Sequence, residues 1–431
     1  MNVPRILGPA HPTRPRRARP VGDVANPVAF ERSRRQLLRE GLAGFGMLLA
    51  APIVSGCGSR DIQFLSDVIS NIPNLGSLQG PDANGLMLPP GFTSRVVART
   101  NEPPVASSTY VWHRSPDGAA VFETSDGGWV YVSNAEVSGG RGGVGALQFA
   151  PDGHIVDAYP VLEGTSRNCA GGPTPWGTWL SCEETTSGEV YECDPLGLER
   201  SEVRPALGMF KHEAAAVDEL TNIIYLTEDE RDGCFYRFTP AGLRGDGRPD
   251  LTEGAMEVAE VVGGQTGPVV WHPLPFPTPH PNPFFDPTRK QVAASTPFNG
   301  GEGIYSFGDL LYFATKGDNR VWCYDMRNQE MTITYDAADF ANPLLTGVDN
   351  VLISDAGDVL VAEDGGNLEI VAITAAGDVR PVVKIVGHNR SEVAGPAFDP
   401  SGTRLYFSSQ RGQSGSSNGG MTFEVSGPWF I

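Results

Sequence analysis

The stretch VDNVLISDAGDVLVAEDGG, residues 348–366, decides the fold. An apolar run ending at Ile353 is followed by the turn residues Ser354-Asp355-Ala356-Gly357-Asp358, then by a second apolar run that closes on Glu363-Asp364. Two short β-branched runs around an Asp/Gly turn read as an antiparallel hairpin. Five further stretches share the layout: AVFETSDGGWVYVSNAE, GGPTPWGTWLSCEE, HEAAAVDELTNIIYLTED, GEGIYSFGDLLYFATKGD and VAGPAFDPSGTRLYFSSQRG. The turns fall near residues 127, 177, 222, 309, 357 and 402, about 45 to 50 apart except for one gap near 87. A period of that size in strand-and-turn units marks a β-propeller with one four-stranded blade per repeat. GCFYRFTPAG, RVWCYDMRNQ and LEIVAITAAGDV supply outer strands. The expected fold is all-β, a six-bladed β-propeller over residues 91–431, with five or seven blades also compatible with the spacing.

The long gap holds GPVVWHPLPFPTPHPNPFFDP, residues 267–287, inside a Pro-rich insertion near 264–298. Proline removes ladder donors, so this run is expected as a loop rather than a central strand. It either covers the mouth of the propeller or spans blades. Trp176 and Trp179 are expected to pack within a blade.

The N-terminus carries a different message. Ser33-Arg34-Arg35-Gln36-Leu37-Leu38 is a twin-arginine pattern, followed by a Gly/Ala-rich apolar stretch too short for a membrane span. It ends in Val54-Ser55-Gly56-Cys57, a box whose cysteine resembles the acylated residue of lipoproteins. Residues 1–57 are read as an export signal addressed to the twin-arginine machinery and 58–90 as a linker. The expected location is the periplasm or cell surface, with membrane attachment only through lipid on Cys57.

The whole chain has formal net charge −19. The leader to Cys57 holds nine arginines against three acids, so the remainder is more acidic still, near −25. Nucleic acid is excluded as a partner, since it demands a basic footprint. An acidic exported protein suits calcium, a hard ion bound by oxygens. Beyond Cys57 lie Cys169, Cys182, Cys193, Cys234 and Cys323. An odd number leaves at least one thiol unpaired in an oxidising compartment, and the pairing of the others is not readable.

In a hairpin, the start of the first strand and the end of the second share one edge. Second strands end in Glu136, Cys182-Glu183-Glu184, Glu228-Asp229, Lys316-Gly317-Asp318, Glu363-Asp364 and Ser409-Gln410-Arg411. First strands start at His212-Glu213, Glu302, Asp349-Asn350 and Ser391-Glu392. The acids therefore gather at one rim, where mutual repulsion raises their pKa values unless cations neutralise them. A metal cluster is the expected neutraliser, with calcium on the carboxylates and a softer metal such as iron on the thiol. His212 and Glu213, being adjacent in a strand, face opposite ways, which argues against a His–carboxylate base. No zinc spacing or phosphate-cradling P-loop appears.

GGPTPWGTWLSCEET, LGMFKHEAAAVD, YLTEDERDGCFYRF, GVDNVLISDAGDVLVAEDGG and GPAFDPSGTRLYFSSQRG together resemble the PhoX-type alkaline phosphatases, exported bacterial proteins with twin-arginine signals. The resemblance runs from about Phe92 to the C-terminus. It implies a six-bladed propeller that hydrolyses phosphate esters at a mouth-side cluster of Ca²⁺ and Fe³⁺. It further implies Cys182, Glu213 and Glu302 as iron ligands, and Glu136, Glu183, Glu184, Asp229 and Asn350 as calcium ligands or their support. Three departures stand out. Gly300-Gly301-Glu302 lacks the arginine that holds phosphate two residues before the glutamate, Asn134-Ala135-Glu136 lacks a histidine, and the segment between the CEE and KHE motifs is short. Lys316 or Arg411, at the same rim, is the expected replacement cation. The expected function is a metal-dependent phosphatase or phosphodiesterase acting on small phosphate esters. The alternatives are a calcium-binding propeller without turnover and a lactonase-like hydrolase.

Overall fold

Strands and single turns of 3-10 helix make up the regular structure throughout residues 68–277 and 287–431, the part described by the computed structural model. The twin-arginine pattern, the Cys57 box and residues 278–286 of the Pro-rich run lie outside those residues. Among the described residues, no helix is long and apolar enough to cross a membrane.

The chain is all-β and propeller-like. Antiparallel meanders of four strands follow one another. The first comprises Pro116–Glu123, Trp129–Ala135, Gly142–Phe149 and Ile155–Thr165. The second comprises Asn168–Pro173, Trp179–Glu183, Val190–Cys193 and Glu202–Val203. The third opens with His212–Val217, Ile224–Glu228, Phe235–Pro240 and Gly254–Val261. The fourth is Gly301–Phe307, Leu310–Thr315, Arg320–Asp325 and Glu330–Asp336. The fifth is Val348–Ile353, Val359–Glu363, Glu369–Ile373 and Val379–Ile385. The last, Val393–Phe398, Arg404–Ser409 and Met421–Ser426, takes its fourth strand from the N-terminal side, where Thr93–Arg99 pairs with Met421–Ser426. The first strands of these meanders contact one another in sequence order, and Val393–Phe398 contacts Pro116–Glu123 in turn.

The core lies between adjacent sheets. Trp129, Tyr131 and Phe149 meet Tyr406 of the last meander, and Tyr225, Phe235 and Trp271 meet Phe313 and Tyr324. Burying rings of this size contributes about 1.5–3 kcal/mol each, so side-by-side sheet packing dominates stability. Trp176 and Trp179 are buried as expected, their indole N–H groups donating to Glu192 (2.7 Å) and Asn134 (2.9 Å).

Two expectations need correction. Gly267–Pro273, read as loop, is a strand that pairs with Gly254–Val261 and, through Gly267 and Pro268, with Met331 and Glu330. On its second side the strand is paired only at Gly267 and Pro268, so its prolines forfeit few ladder bonds, the condition under which strands tolerate proline. Part of the segment read as linker also belongs to the body. Leu86–Met87 pairs with Ile385 and Lys384, and Ile72, Leu75, Leu86 and Leu88 are buried with Trp429.

Candidate metal centre

The first strand of every meander is broken in the same way. The register shifts by one residue between Pro116 and Ala119, Asn168 and Gly171, His212 and Ala215, Gly301 and Ile304, Val348 and Val351, and Ala394 and Ala397. A β-bulge bends its strand and re-aims a side chain. The residue opening the bulge is Asp117, Cys169, Glu213, Glu302 or Asp349 in the first five meanders. In the last, Glu392 lies just before Val393–Phe398.

These side chains converge. Ligand atoms of Cys169, Glu184 and Glu213 lie within 4.8 Å of one another, as do those of Asp117, Glu136 and Glu392, and those of Glu213, Glu302 and Asp349. Glu213 belongs to two of the three groups. The Cys169 thiol reaches Asp117 Oδ2 at 3.7 Å. All but Cys169 and Glu136 are buried.

Strand alternation sorts the acid pairs that end second strands. Glu183 accepts the N–H groups of Ser166 (2.8 Å) and Glu189 (3.3 Å), and Glu363 those of Thr346 and Glu369 (both 3.0 Å). Glu228 accepts from Cys234 N–H and Tyr236 O–H. These first members brace loops. The second members, Glu184, Asp229 and Asp364, meet cations at the rim. Lys211 holds Glu184 (2.7 Å) and Asp229 (2.6 Å), and Arg167 holds Glu184 (2.6 Å) and Glu136 (3.0 Å). Lys316 Nζ sits 3.0 Å from Glu302, 3.2 Å from Asp349 and 3.1 Å from Asp364, while Arg411 pairs with Glu392 at 3.0 Å.

The cations do not offset the burial of so many acids. Burial, with Glu302 and Glu184 nearby, holds the Glu213 carboxyl well above the usual carboxylate range. Burial does the same to Asp117 beside Glu136, to Glu302 beside Asp349, and to Glu392 beside Asp117. Burial raises Glu184 to about 7 and Asp349 to about 6. Asp229 and Asp364 stay below their ordinary values despite burial, held there by Lys211 and Lys316 respectively. His212 is buried against Phe210, with Nε2 3.2 Å from the Gly208 carbonyl, and burial lowers its pKa to about 3. It faces away from Glu213's neighbours and is no base.

Of the residues expected from sequence, Glu213, Glu302, Glu184 and Glu136 come together, with Asp229, Lys316 and Arg411 at their edge. Cys182, Glu183 and Asn350 do not join them. Cys182 is fully buried in the apolar cluster that holds Leu180, Val190 and Leu226 and senses Glu213 alone among the acids, while the thiol grouped with acid oxygens is that of Cys169. Asn350 spends both polar atoms within the protein, donating to Asp349 (2.8 Å) and accepting from Gly395 N–H (2.5 Å). Sequence reasoning missed Asp117 and Cys169 because each lies just upstream of its recognisable hairpin; the strand-start positions of Glu213 and Glu302 carried the signal that would have found them. No disulfide forms among the five described cysteines.

The donor set fits metal ions. Glu213 Oε1 is buried with no hydrogen-bond partner among the described residues, and Gln410 Oε1 is in the same state beside Asp117. Buried carboxylates packed this closely ionise together only when a cation joins them, and oxygen donors beside one thiol accommodate both a hard ion and a softer one.

Comparison with known proteins bears on the family and the fold. The family model described as alkaline phosphatase PhoX matches residues 130–192 and 186–342. The solved structure of Pseudomonas fluorescens PhoX in complex with vanadate, a transition state analogue, aligns with TM-score 0.66 and 17% identity over 82% of this chain and 98% of that one. A Bacteroides thetaiotaomicron protein of unknown function aligns with TM-score 0.48 at 8% identity, covering 81% of this chain and 83% of its own. A gluconolactonase from Xanthomonas campestris aligns with TM-score 0.42 at 11% identity, covering 84% and 98%. No curated protein matches the sequence. By its match to the family model, the chain belongs to the alkaline phosphatase PhoX family.

Proposed function

We propose that this protein is a metal-dependent phosphatase of the cell envelope, a six-bladed propeller whose mouth holds Ca²⁺ and Fe³⁺ and hydrolyses small phosphate esters. The observation that carries the reading is the convergence of Cys169, Glu184, Glu213, Glu302 and Asp349 from successive meanders, with an unpartnered buried oxygen on Glu213. Membership of the PhoX family and the vanadate bound by the Pseudomonas fluorescens relative favour phosphoryl transfer over lactone hydrolysis. Delivery by the twin-arginine machinery and tethering through lipid on Cys57 belong to the same proposal.

Cys169, Glu213 and Glu302 are the residues for iron, and Asp117, Glu136, Glu184, Asp349 and Glu392 those for calcium. Bound metal ions supply Lewis-acid charge that polarises the phosphoryl group. The carboxylates hold metal and carry no acid–base role. Arg167 and Lys211 fix Glu184 between them and so set its orientation. With Glu302, Asp349 and Glu392 committed to metal, the Lys316 ammonium, which keeps only Asp364, and the Arg411 guanidinium are available to phosphoryl oxygens, in place of the arginine absent at Gly300.

Elemental analysis of the exported protein, coupled to an aryl phosphate assay, tests the reading. Iron and calcium in stoichiometric amounts are expected, with hydrolysis abolished by chelation and recovered on reloading. Calcium without iron, and no hydrolysis, would replace the phosphatase by a binding propeller.

A further inference from the structure

Beside the acid cluster lies a cavity of about 360 Å³, lined by Arg231, Thr296, Asn299, Asp318, Arg320 and Trp322, among others. It adjoins the cluster through the backbone. Gly317 N–H donates to Asn299 O (2.9 Å), and Lys316 N–H to Gly300 O (2.8 Å). A side chain at Gly300 would start 3.4 Å from Asp229 Oδ1 and 3.9 Å from Lys316 Cβ. One wall of the cavity is thus continuous with the residues that bound the metal centre.

Two arginines line this cavity, and they differ in their partners. Arg320 is shared by Asp336 (2.6 Å) and Asp318 (3.2 Å), so it is fully committed to carboxylates. Glu230 and Asp232, on either side of Arg231, both engage Arg289 (3.7 Å and 2.9 Å), and Lys290 also pairs with Asp232. Gly233 and Phe298 bridge the same turn to the end of the insertion. Arg231, between these anchored neighbours, lines the cavity and has no carboxylate partner among the described residues. Lys211, Lys316, Arg167 and Arg411 are all engaged by acids. An unpaired guanidinium on an anchored turn is a fork-shaped donor for a carboxylate or phosphate.

We propose that this cavity is the leaving-group subsite of the phosphatase, and that Arg231 selects phosphate esters whose organic part carries a second anionic group. The proposal rests on the phosphatase reading. Water cleaves the ester to inorganic phosphate and an anionic alcohol or phenol, and Arg231 holds the anionic end while the phosphoryl group lies at the metal centre. The insertion, through Thr296 and Pro297, forms part of the wall and so contributes to selectivity.

The test compares the metal-loaded protein and its Arg231→Ala and Arg231→Glu variants on phenyl phosphate and 4-carboxyphenyl phosphate. The ratio of kcat/KM for the carboxylated over the plain ester is expected to fall about tenfold in Arg231→Ala, the loss of one charge-assisted hydrogen bond, and further in Arg231→Glu. Arg231→Lys should retain part of the preference. A ratio within about twofold of wild type in every variant overturns the proposal. Calorimetric titration with 4-hydroxybenzoate, the organic product, reads the cavity independently of turnover. Binding to wild type that is lost in Arg231→Glu supports it, and equal binding or none in both overturns it. If neither ester is cleaved while product binding still depends on Arg231, the phosphatase reading fails and the anion subsite stands.

Discussion

Cys169 and Cys182 lie on paired strands of one hairpin, yet their surroundings differ. Cys169 opens a bulge and faces Asp117, Glu184 and Glu213, whereas Cys182 packs among aliphatic side chains. Burial raises both thiols, so neither is a thiolate without a metal ion to stabilise one. Cys169→Ser is therefore expected to lower bound iron and hydrolysis together by at least about a hundredfold in turnover, read by elemental analysis and an aryl phosphate assay. Cys182→Ser is expected to keep its metal but lose about 1–3 kcal/mol of stability, since it puts a hydroxyl into a fully buried apolar cluster; a thermal melt checks this. The reverse pattern would return the ligand role to Cys182. The motif that identifies the family drew attention to Cys182, because tandem acids beside a thiol look like a binding site. The bulge that turns Cys169 inward has no signature in the local sequence.

Strands at the centre approach one another closely. An added Cβ at Gly172 would lie 1.8 Å from the Ala215 carbonyl oxygen of the next meander, and one at Gly395, whose φ is +60°, 2.5 Å from the Asp117 carbonyl oxygen. Backbone at that distance cannot yield as a flexible side chain does. Gly172→Ala is expected to cost about 3 kcal/mol, the upper part of the range for overpacking, seen as a lower midpoint in denaturant. Closure depends on Thr93–Arg99, which fills the outer edge of the last meander against Met421–Ser426. Deleting residues through Arg99 leaves that strand unpaired, an edge prone to association. Loss of a single cooperative melt, with aggregation, is the expected outcome by light scattering during heating. The hairpins were legible in sequence because each alternates apolar runs with Gly/Asp turns. The strand Gly267–Pro273 was not, because its prolines mask a strand that only its neighbours define.

For the molecule as a whole, the buried acids set the pH dependence. Glu184 and Asp349 have ordinary values of 4.5 and 3.8 and are raised by burial to about 7 and about 6. Their contribution to stability is full below about pH 4 and is lost as pH rises through about 6 to 7. Asp229 and Asp364, depressed by Lys211 and Lys316, act in the opposite sense but only below about pH 4. The metal-free protein is therefore expected to melt at lower temperature at pH 8 than at pH 5. Added calcium should raise the midpoint at both values and more strongly at pH 8, where ionised carboxylates await a cation. Scanning fluorimetry with and without chelator reads both effects. A midpoint that rises from pH 5 to pH 8 without metal would show that the rim cations already balance the acids.

The sequence alone determined the repeat, the all-β class, the family resemblance and the rim on which acids collect. These depend on periodicity and turn chemistry, which are local properties. Only the tertiary structure decided which side chains meet. Asp117, Cys169, Glu213, Glu302 and Asp349 are separated by about 44 to 89 residues and become neighbours through six bulged strands packed around one centre. A one-residue bulge changes which side chain faces that centre, and it arises from contacts between strands rather than from the residues of any one strand.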